Sequence, residues 1–266
     1  MSGTAVVRAW AHSGFAPTGE PVTRTLAADS WLVDDGRVLA LERHRLRFAD
    51  AAAEAGGDRL DALTAARRAM DEVPAEGRWS PRLDLTPEGI RLRVRPAPER
   101  APVDAASGAA TVDAVTAARD PRRAPRRKGP DLEALAALQA EESARVGTEV
   151  EPIILADGLV AESTRSAVLW WRDGVLCSPA ASTPRLASVT AAVIAEVAGI
   201  DGIMTRQERA APADLEGCEV WLVNALRGIR AVARWVDGPS TAPASRAAAW
   251  QSRLDGLRTV PAASRR

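Results

Sequence analysis

The first part of the chain alternates apolar and polar residues in a way that predicts several strands and two helices. Apolar residues at helical spacing predict amphipathic helices over residues 41–55 and 60–73, and Gly56-Gly57 ends the first of them. Short apolar runs predict strands at 6–10, 22–26, 30–33, 79–85 and 90–94. Hairpin turns are indicated at residues 34–37 and 86–89. Strands mixed with helices in this order predict an α+β fold.

The second part has a clearer pattern of the same kind. Helical spacing predicts helices over residues 132–144, 189–197 and 243–257. Apolar runs predict strands at 150–155, 168–171, 175–177, 220–223 and 231–236, and a further strand at 111–115 lies before this part, at the end of the N-terminal domain. Asp157-Gly158 and Asp173-Gly174 are typical of tight hairpin turns.

A change of composition marks the predicted domain boundary. Residues 96–108 are rich in Pro, Ala and charge, and residues 119–130 are too rich in Pro and Arg to form a continuous helix. The predicted organisation is an N-terminal α+β domain at 1–118, an interdomain loop at 119–130 and a C-terminal α+β domain at 131–266.

Composition narrows the classes of function. The formal net charge is zero, so the chain as a whole does not attract nucleic acid or an anionic membrane, and neither is predicted as a partner. Cys177 and Cys218 lack the spacing of a metal site or a disulfide framework, so both are predicted to be buried thiols and no metal site is predicted. No apolar run reaches membrane-spanning length, which favours a soluble, cytoplasmic protein.

One residue of the Pro/Arg-rich segment differs from the other basic residues. The chain has 35 basic residues, and Lys128 is the only lysine among them. An arginine stays protonated and is a poor nucleophile, whereas a lysine amine can lose its proton and attack a carbonyl carbon. Lys128 is therefore either a chance survivor in a basic loop or a residue kept for amine chemistry.

Four stretches resemble the class IV aminotransferases, a family of enzymes that use pyridoxal phosphate (PLP). The most specific are the stretch from Asp157 to Ser166 and the stretch from Trp221 to Arg230, and the second is most similar to the aminodeoxychorismate lyase branch. Residues 44–48 are similar to a His-x-x-Arg-Leu/Phe motif, and residues 186–190 to a phosphate-binding turn. The resemblance implies a two-domain fold-type IV structure with PLP between the domains, and a homodimer that acts on a small amino substrate.

The resemblance also implies a role for each matching residue. Lys128 would be the catalytic residue and the attachment point of PLP, and Glu162 would hold a proton on the ring nitrogen of PLP. The phosphate would be bound by residues at a helix N-terminus and at a strand end, together with one arginine. These residues are Arg47, Ser188, Val189, Thr190, Asn224 and Ala225. Arg227 and Arg230 are candidates for contacts with substrate carboxylates, with a solvated loop as the alternative.

Three functions remain open at this stage. The first is a lyase of folate biosynthesis that converts 4-amino-4-deoxychorismate to 4-aminobenzoate and pyruvate. The second is an aminotransferase of branched-chain or D-amino acids, although the chain has no tyrosine to place beside the cofactor ring. The third is a catalytically silent relative, suggested by Ala167, Ser188 and Ala191, where the family usually has Asn, Gly and Arg.

Overall fold

The computed structural model describes residues 6–19 and 24–261, and contacts divide the chain into two units. The first unit comprises Met1–Glu99, Arg127–Pro130 and Leu257–Arg266. The second comprises Arg100–Arg126 and Asp131–Gly256. The segment that carries Lys128 therefore packs with the first unit, although the residues on both sides of it belong to the second.

An antiparallel sheet and two helices form the first unit. Its strands are β1 (Val6–Trp10), β2 (Phe15–Pro17), β3 (Ala27–Ser30), β4 (Val33–Asp34), β5 (Arg78–Thr86) and β6 (Gly89–Pro96). The order is β2-β1-β6-β5-β3, and β4 also pairs with β5. The helices are α1 (Leu41–Glu54) and α2 (Arg59–Arg68), and a 3₁₀ turn (Ala69–Glu72) follows α2. Trp31 and Phe48 lie fully buried in the core of this unit.

Eight strands and three helices form the second unit. The strands are β7 (Thr111–Thr116), β8 (Glu151–Ala156), β9 (Leu159–Ser163), β10 (Ala167–Arg172), β11 (Val175–Pro179), β12 (Thr205–Glu208), β13 (Glu219–Asn224) and β14 (Gly228–Val236). The helices are α3 (Leu132–Val146), α4 (Val189–Ile200) and α5 (Ala247–Gly256), with a 3₁₀ turn at Pro212–Leu215.

The sheet of the second unit closes on itself. Its order is β12-β11-β10-β13-β14-β7-β8-β9, and β9 also pairs with β10 through Glu162 and Ala167. Six strands therefore form a ring, from which β11 and β12 extend. The additional pairing fixes Glu162, near the end of β9, directly beside the start of β10.

Most predicted elements are confirmed. The two-residue turns at Asp157-Gly158 and Asp173-Gly174 have positive φ at both positions, as a type I′ hairpin requires. The helices predicted at 41–55, 132–144 and 189–197 correspond to α1, α3 and α4. Cys177 and Cys218 are buried and not bonded to each other, as predicted.

Several predicted ends of strands and helices were wrong. The strand predicted at 22–26 falls partly outside the described residues, and β3 begins only at Ala27. The strand predicted at 30–33 is divided between β3 and β4. The helix predicted at 60–73 ends at Arg68 and continues as the 3₁₀ turn Ala69–Glu72. Val73, which precedes Pro74, is extended, because the residue before a proline disfavours the helical conformation.

The last helix begins later than predicted. Instead of starting at Pro243, α5 starts at Ala247, where the Glu219 carboxylate accepts the backbone N–H groups of Arg246 (3.0 Å) and Ala247 (3.1 Å). A side chain distant in sequence thus caps this helix. Strands β2 and β12 were not predicted, and β12 is an exposed edge strand without an apolar residue.

None of the helices among the described residues is long and apolar enough to cross a membrane.

Candidate active site

The backbone around Lys128 is fixed against strand β3. The N–H of Ala28 donates to the Lys128 carbonyl oxygen at 2.7 Å. Gly129 follows with φ +134°, and a Cβ atom at this position would lie 2.8 Å from the Cα of Ala27. Only glycine allows the two backbones to approach this closely. The position of the lysine is therefore set by its main chain.

A buried ionic cluster lies in the same unit as Lys128. Asp29 on β3 is fully buried and accepts hydrogen bonds from Nε (2.6 Å) and Nη2 (2.9 Å) of Arg47 on α1. Nδ1 of His44, one helical turn before Arg47, lies 2.9 Å from Oδ1 of Asp29. His44 is 2% exposed, so the cluster is largely shielded from solvent.

Electrostatics fixes the protonation states in this cluster. Burial alone would raise the pKa of Asp29, but the charge of Arg47 and the contacts with His44 hold that pKa well below its ordinary value. Burial lowers the pKa of His44, against the opposing effect of Asp29, and the charges of Arg47 and Lys128 lower it further. His44 is therefore neutral, and its Nδ1–H donates to the ionised Asp29.

Sequence reasoning named Arg47 and His44 but missed Asp29. The available signal was an acidic residue inside the mostly apolar run that spans 26–33. A buried carboxylate in such a run needs a cation within hydrogen-bonding distance. The family-like His-x-x-Arg motif supplies that cation from the next helix.

In the second unit, both oxygens of the Glu162 side chain have partners. Oε1 accepts a hydrogen bond from Nη1 of Arg122, and Oε2 accepts the backbone N–H of Leu186 at 3.2 Å. Leu186 begins the predicted phosphate turn. The structure therefore connects the predicted ring-nitrogen ligand directly to the segment predicted to bind the phosphate.

The predicted phosphate turn forms the N-terminus of α4. Ser188 is the N-cap residue, and its Oγ accepts the backbone N–H of Ala191 at 3.2 Å. Val189 and Thr190, the first two residues of the helix, are buried. N–H groups at this position have no acceptor within their own helix and favour anions. The serine that replaces the usual glycine thus caps the helix and leaves its anion-binding end in place.

The second predicted phosphate contact lies in the turn between β13 and β14. Oδ1 of Asn224 accepts the backbone N–H groups of Leu226 (3.0 Å) and Arg227 (2.8 Å), and its Nδ2 donates to Oγ of Ser166 at 2.9 Å. The asparagine side chain is therefore engaged in shaping the turn. An anion at Asn224 and Ala225 would be held by their backbone.

Arg227 and Arg230 differ in their surroundings. Arg230 is 2% exposed, and its Nη2 donates to Glu151 (2.6 Å) and to Ser166 (2.9 Å). Burial alone would raise the pKa of Glu151, but the charge of Arg230 and bonds from Ser163 and Ser166 hold it below its ordinary value. These contacts give Arg230 a structural role, and its contact with a substrate carboxylate stays a prediction.

Both arginines line a cavity of about 220 Å³ within the second unit. Gln139 and Arg165 also line it. Nε of Arg230 is buried without a hydrogen-bond partner. Several polar side chains line this cavity, which is large enough to hold ordered water.

A comparison with known protein families identifies the family to which the chain belongs. The family model for class IV aminotransferases matches residues 26–235, which include Arg47, Lys128, Glu162 and both predicted phosphate-binding segments. The chain is a member of the class IV aminotransferase family. It is accordingly a PLP-dependent enzyme, and its mixed helix and sheet structure is that of fold-type IV.

Solved structures support the fold assignment of this class IV aminotransferase. A hypothetical aminotransferase from Mycobacterium tuberculosis in its PLP-bound form is 21% identical, with a TM-score of 0.73 over 96% of this chain and 98% of that one. A fold IV transaminase from Curtobacterium pusillum is 22% identical, with a TM-score of 0.72 over 94% and 96%. The branched-chain amino acid aminotransferase of Escherichia coli is 16% identical, with a TM-score of 0.73 over 97% and 95%. No curated protein matches the chain by sequence.

Each unit separately holds groups of a kind that suits the cofactor of the family. The first unit offers one lysine with an anchored backbone and an arginine held by a buried carboxylate. The second offers a helix N-terminus and a carboxylate bonded to the turn before that helix. Amine, carboxylate and anion-binding groups are the three kinds of ligand that PLP requires.

Proposed function

We propose that this enzyme transfers an amino group from a branched-chain or D-amino acid to a small 2-keto acid. The lone lysine with its fixed backbone, in one unit with the buried Asp29–His44–Arg47 cluster, is the observation that carries the proposal. Branched-chain aminotransferases among the solved structures of the same fold favour this substrate class. A fold shared at low identity leaves specificity to the pocket.

In this proposal each residue has a defined role. When bound, PLP supplies an aldehyde and an electron-withdrawing ring that acidify the hydrogen on the substrate Cα. Lys128 would hold PLP through its amine and, when not bonded to the cofactor, would move a proton at the substrate Cα as base and then as acid. Glu162 holds a proton at the ring nitrogen.

The remaining proposed ligands bind the phosphate and orient the cofactor. Arg47 contributes a guanidinium, whose orientation Asp29 fixes through two hydrogen bonds. The first N–H groups of α4, at Val189 and Thr190 after the Ser188 cap, supply neutral donors. Asn224 and Ala225 add the backbone of their turn.

The lyase reaction is the second candidate. Two sequence observations favour it: the stretch from Trp221 to Arg230 is most similar to that branch, and the chain has no tyrosine to place beside the cofactor ring. A lyase would release pyruvate from aminodeoxychorismate without a keto-acid acceptor.

One pair of assays separates these functions. The purified enzyme with PLP is given branched-chain or D-amino acids with and without 2-oxoglutarate, and separately aminodeoxychorismate alone. An aminotransferase consumes the amino acid only when the keto acid is present. Pyruvate formed from aminodeoxychorismate alone would replace the proposal with the lyase function. A protein that gains no visible absorbance with PLP and turns over neither substrate would be the silent relative.

We also propose that the enzyme is a homodimer, as the family resemblance implies. Sedimentation at micromolar concentration should give twice the 28.1 kDa mass of one chain. A single species of chain mass would contradict this.

A further inference from the structure

Arg122, in the Pro/Arg-rich segment, is held in a single orientation. Its Nε and Nη2 donate to the two oxygens of Asp120 at 2.8 and 2.7 Å, and its Nη1 donates to the Pro184 carbonyl at 3.0 Å. The side chain is 2% exposed. A planar guanidinium with all three nitrogens engaged cannot rotate without breaking several bonds at once. Arg122 is therefore part of the fixed interior of the second unit.

The same side chain occupies one oxygen of Glu162. Nη1 of Arg122 also donates to Oε1 of that carboxylate. Burial alone would lower the pKa of Arg122, but Asp120 and Glu162 outweigh it and hold that pKa above its ordinary value. Arg122 therefore keeps its positive charge beside the Glu162 carboxylate.

A second guanidinium contributes to the field at this carboxylate. Burial and the charge of Arg126 lower the pKa of Arg185, whereas the charge of Glu162 raises it, and the net shift is downward. Nε of Arg185 is buried without a hydrogen-bond partner. Glu162 thus lies near the charges of Arg122 and Arg185, and Arg122 is in direct contact with it.

We propose that Arg122, clamped by Asp120, is a positioning residue that shares the Glu162 carboxylate and limits how strongly it stabilises positive charge on the cofactor's ring nitrogen. Two cations on one carboxylate repel each other, and the cost grows in a buried, low-dielectric site. The bond from Leu186 N–H keeps Glu162 in place on its other oxygen, so removal of Arg122 mainly removes the competing charge. This inference rests on the proposed role of Glu162.

The test compares two ligands of the apoprotein. PLP has a ring nitrogen, whereas 1-deaza-PLP has a carbon there and is otherwise the same. The ratio of their affinities, measured by fluorescence titration, isolates the contact with Glu162. Arg122→Met should raise the preference for PLP over the deaza analogue about tenfold, an order-of-magnitude figure for one relieved charge contact. Asp120→Asn, which removes the anion that partly neutralises Arg122, should instead lower it.

Two further variants complete the design. Arg122→Lys keeps the positive charge and should leave the ratio near that of the parent. Arg119→Gln is the matched control, because Arg119 lies in the same segment, is exposed and pairs with Glu141 at 2.6 Å. The melting temperature of each apoprotein confirms folding, and if Arg122→Met does not fold, Asp120→Asn decides the question.

The outcomes distinguish a failure of the role proposed for Arg122 from a failure of the role proposed for Glu162. If the parent does not distinguish PLP from the deaza analogue, Glu162 is not the ring-nitrogen ligand and the proposed role fails. If the parent distinguishes them and Arg122→Met has the same or a smaller ratio, only the inference on Arg122 is overturned. Equal losses of affinity for both ligands would show that Arg122 is merely structural.

Discussion

Replacing Asp29 with alanine tests whether burial makes the Asp29–His44–Arg47 cluster a large contribution to the free energy of unfolding. The change leaves three nitrogen donors without their shared acceptor: Nε and Nη2 of Arg47 and Nδ1 of His44. Removing one partner of a buried ion pair costs about 3–5 kcal/mol. Because the Arg47 side chain is 17% exposed and can regain some hydration, we expect about 3 kcal/mol.

The assay is urea unfolding of the apoprotein at neutral pH, with an exposed ion pair as control. Asp50, on the same helix as Arg47, pairs with Arg59 at 2.7 Å, and both side chains are more than half exposed. Asp50→Ala should therefore cost about 1 kcal/mol at most, although its contact is almost as short. The paired measurement isolates burial as the variable.

Acid gives an independent check with a definite sign. The folded-state pKa of Asp29 is below its ordinary value of 3.8, so its contribution to stability is present above that pH. The contribution disappears as pH falls from 3.8 through the folded-state pKa. The stability difference between parent and Asp29→Ala should shrink over that window. An Asp29→Ala protein as stable as Asp50→Ala at neutral pH would show that burial does not make the Asp29 contacts more stabilising than an exposed ion pair.

Three other changes have definite expected outcomes. Arg47→Ala should weaken PLP binding about ten- to a hundredfold, through a lost charged hydrogen bond, and should affect pyridoxal much less. Since burial lowers the pKa of His44 below 6.5, the free energy of unfolding should fall as pH drops below 6.5, by at most about 1.4 kcal/mol per pH unit, and His44→Gln should remove that slope. Arg230→Met should cost about 3–5 kcal/mol by leaving Glu151 buried and unpaired, and adding Glu151→Gln should restore much of it. Ligand titration and urea unfolding measure these effects, and a flat pH dependence or an additive double variant would contradict the last two.

Local patterns predicted much of the fold because the elements depend on neighbours in sequence. Helices α1, α3 and α4 have apolar residues at helical spacing, and the Asp-Gly turns specify their hairpins by backbone conformation. The start of α5 could not be predicted, since its cap is Glu219 from a distant strand. Edge strand β12 has no apolar residue and exists only because it pairs with β11.

The candidate site also contains residues that could be predicted from the sequence and residues that could not. Lys128, Arg47 and Glu162 have recognisable residue types and family-like spacing, so sequence could nominate them. Asp29 and Arg122 contact residues that are distant in the sequence, and residue spacing does not predict such contacts. Arg230 illustrates the reverse: a basic residue in a matching motif suggests a ligand, but its contacts are with Glu151 and Ser166.

Covalent trapping of PLP shows directly whether Lys128 is the residue that holds the cofactor. The parent protein and Lys128→Arg are incubated with PLP, reduced with borohydride, digested and mapped by mass spectrometry. Because the Lys128 backbone is fixed by Ala28 and Gly129, the arginine variant should fold like the parent. The parent should give one labelled peptide, containing residue 128, and the variant should give none. A label elsewhere in the parent, or a Lys128→Arg enzyme with near-parent turnover, would show that Lys128 is not the residue that holds PLP.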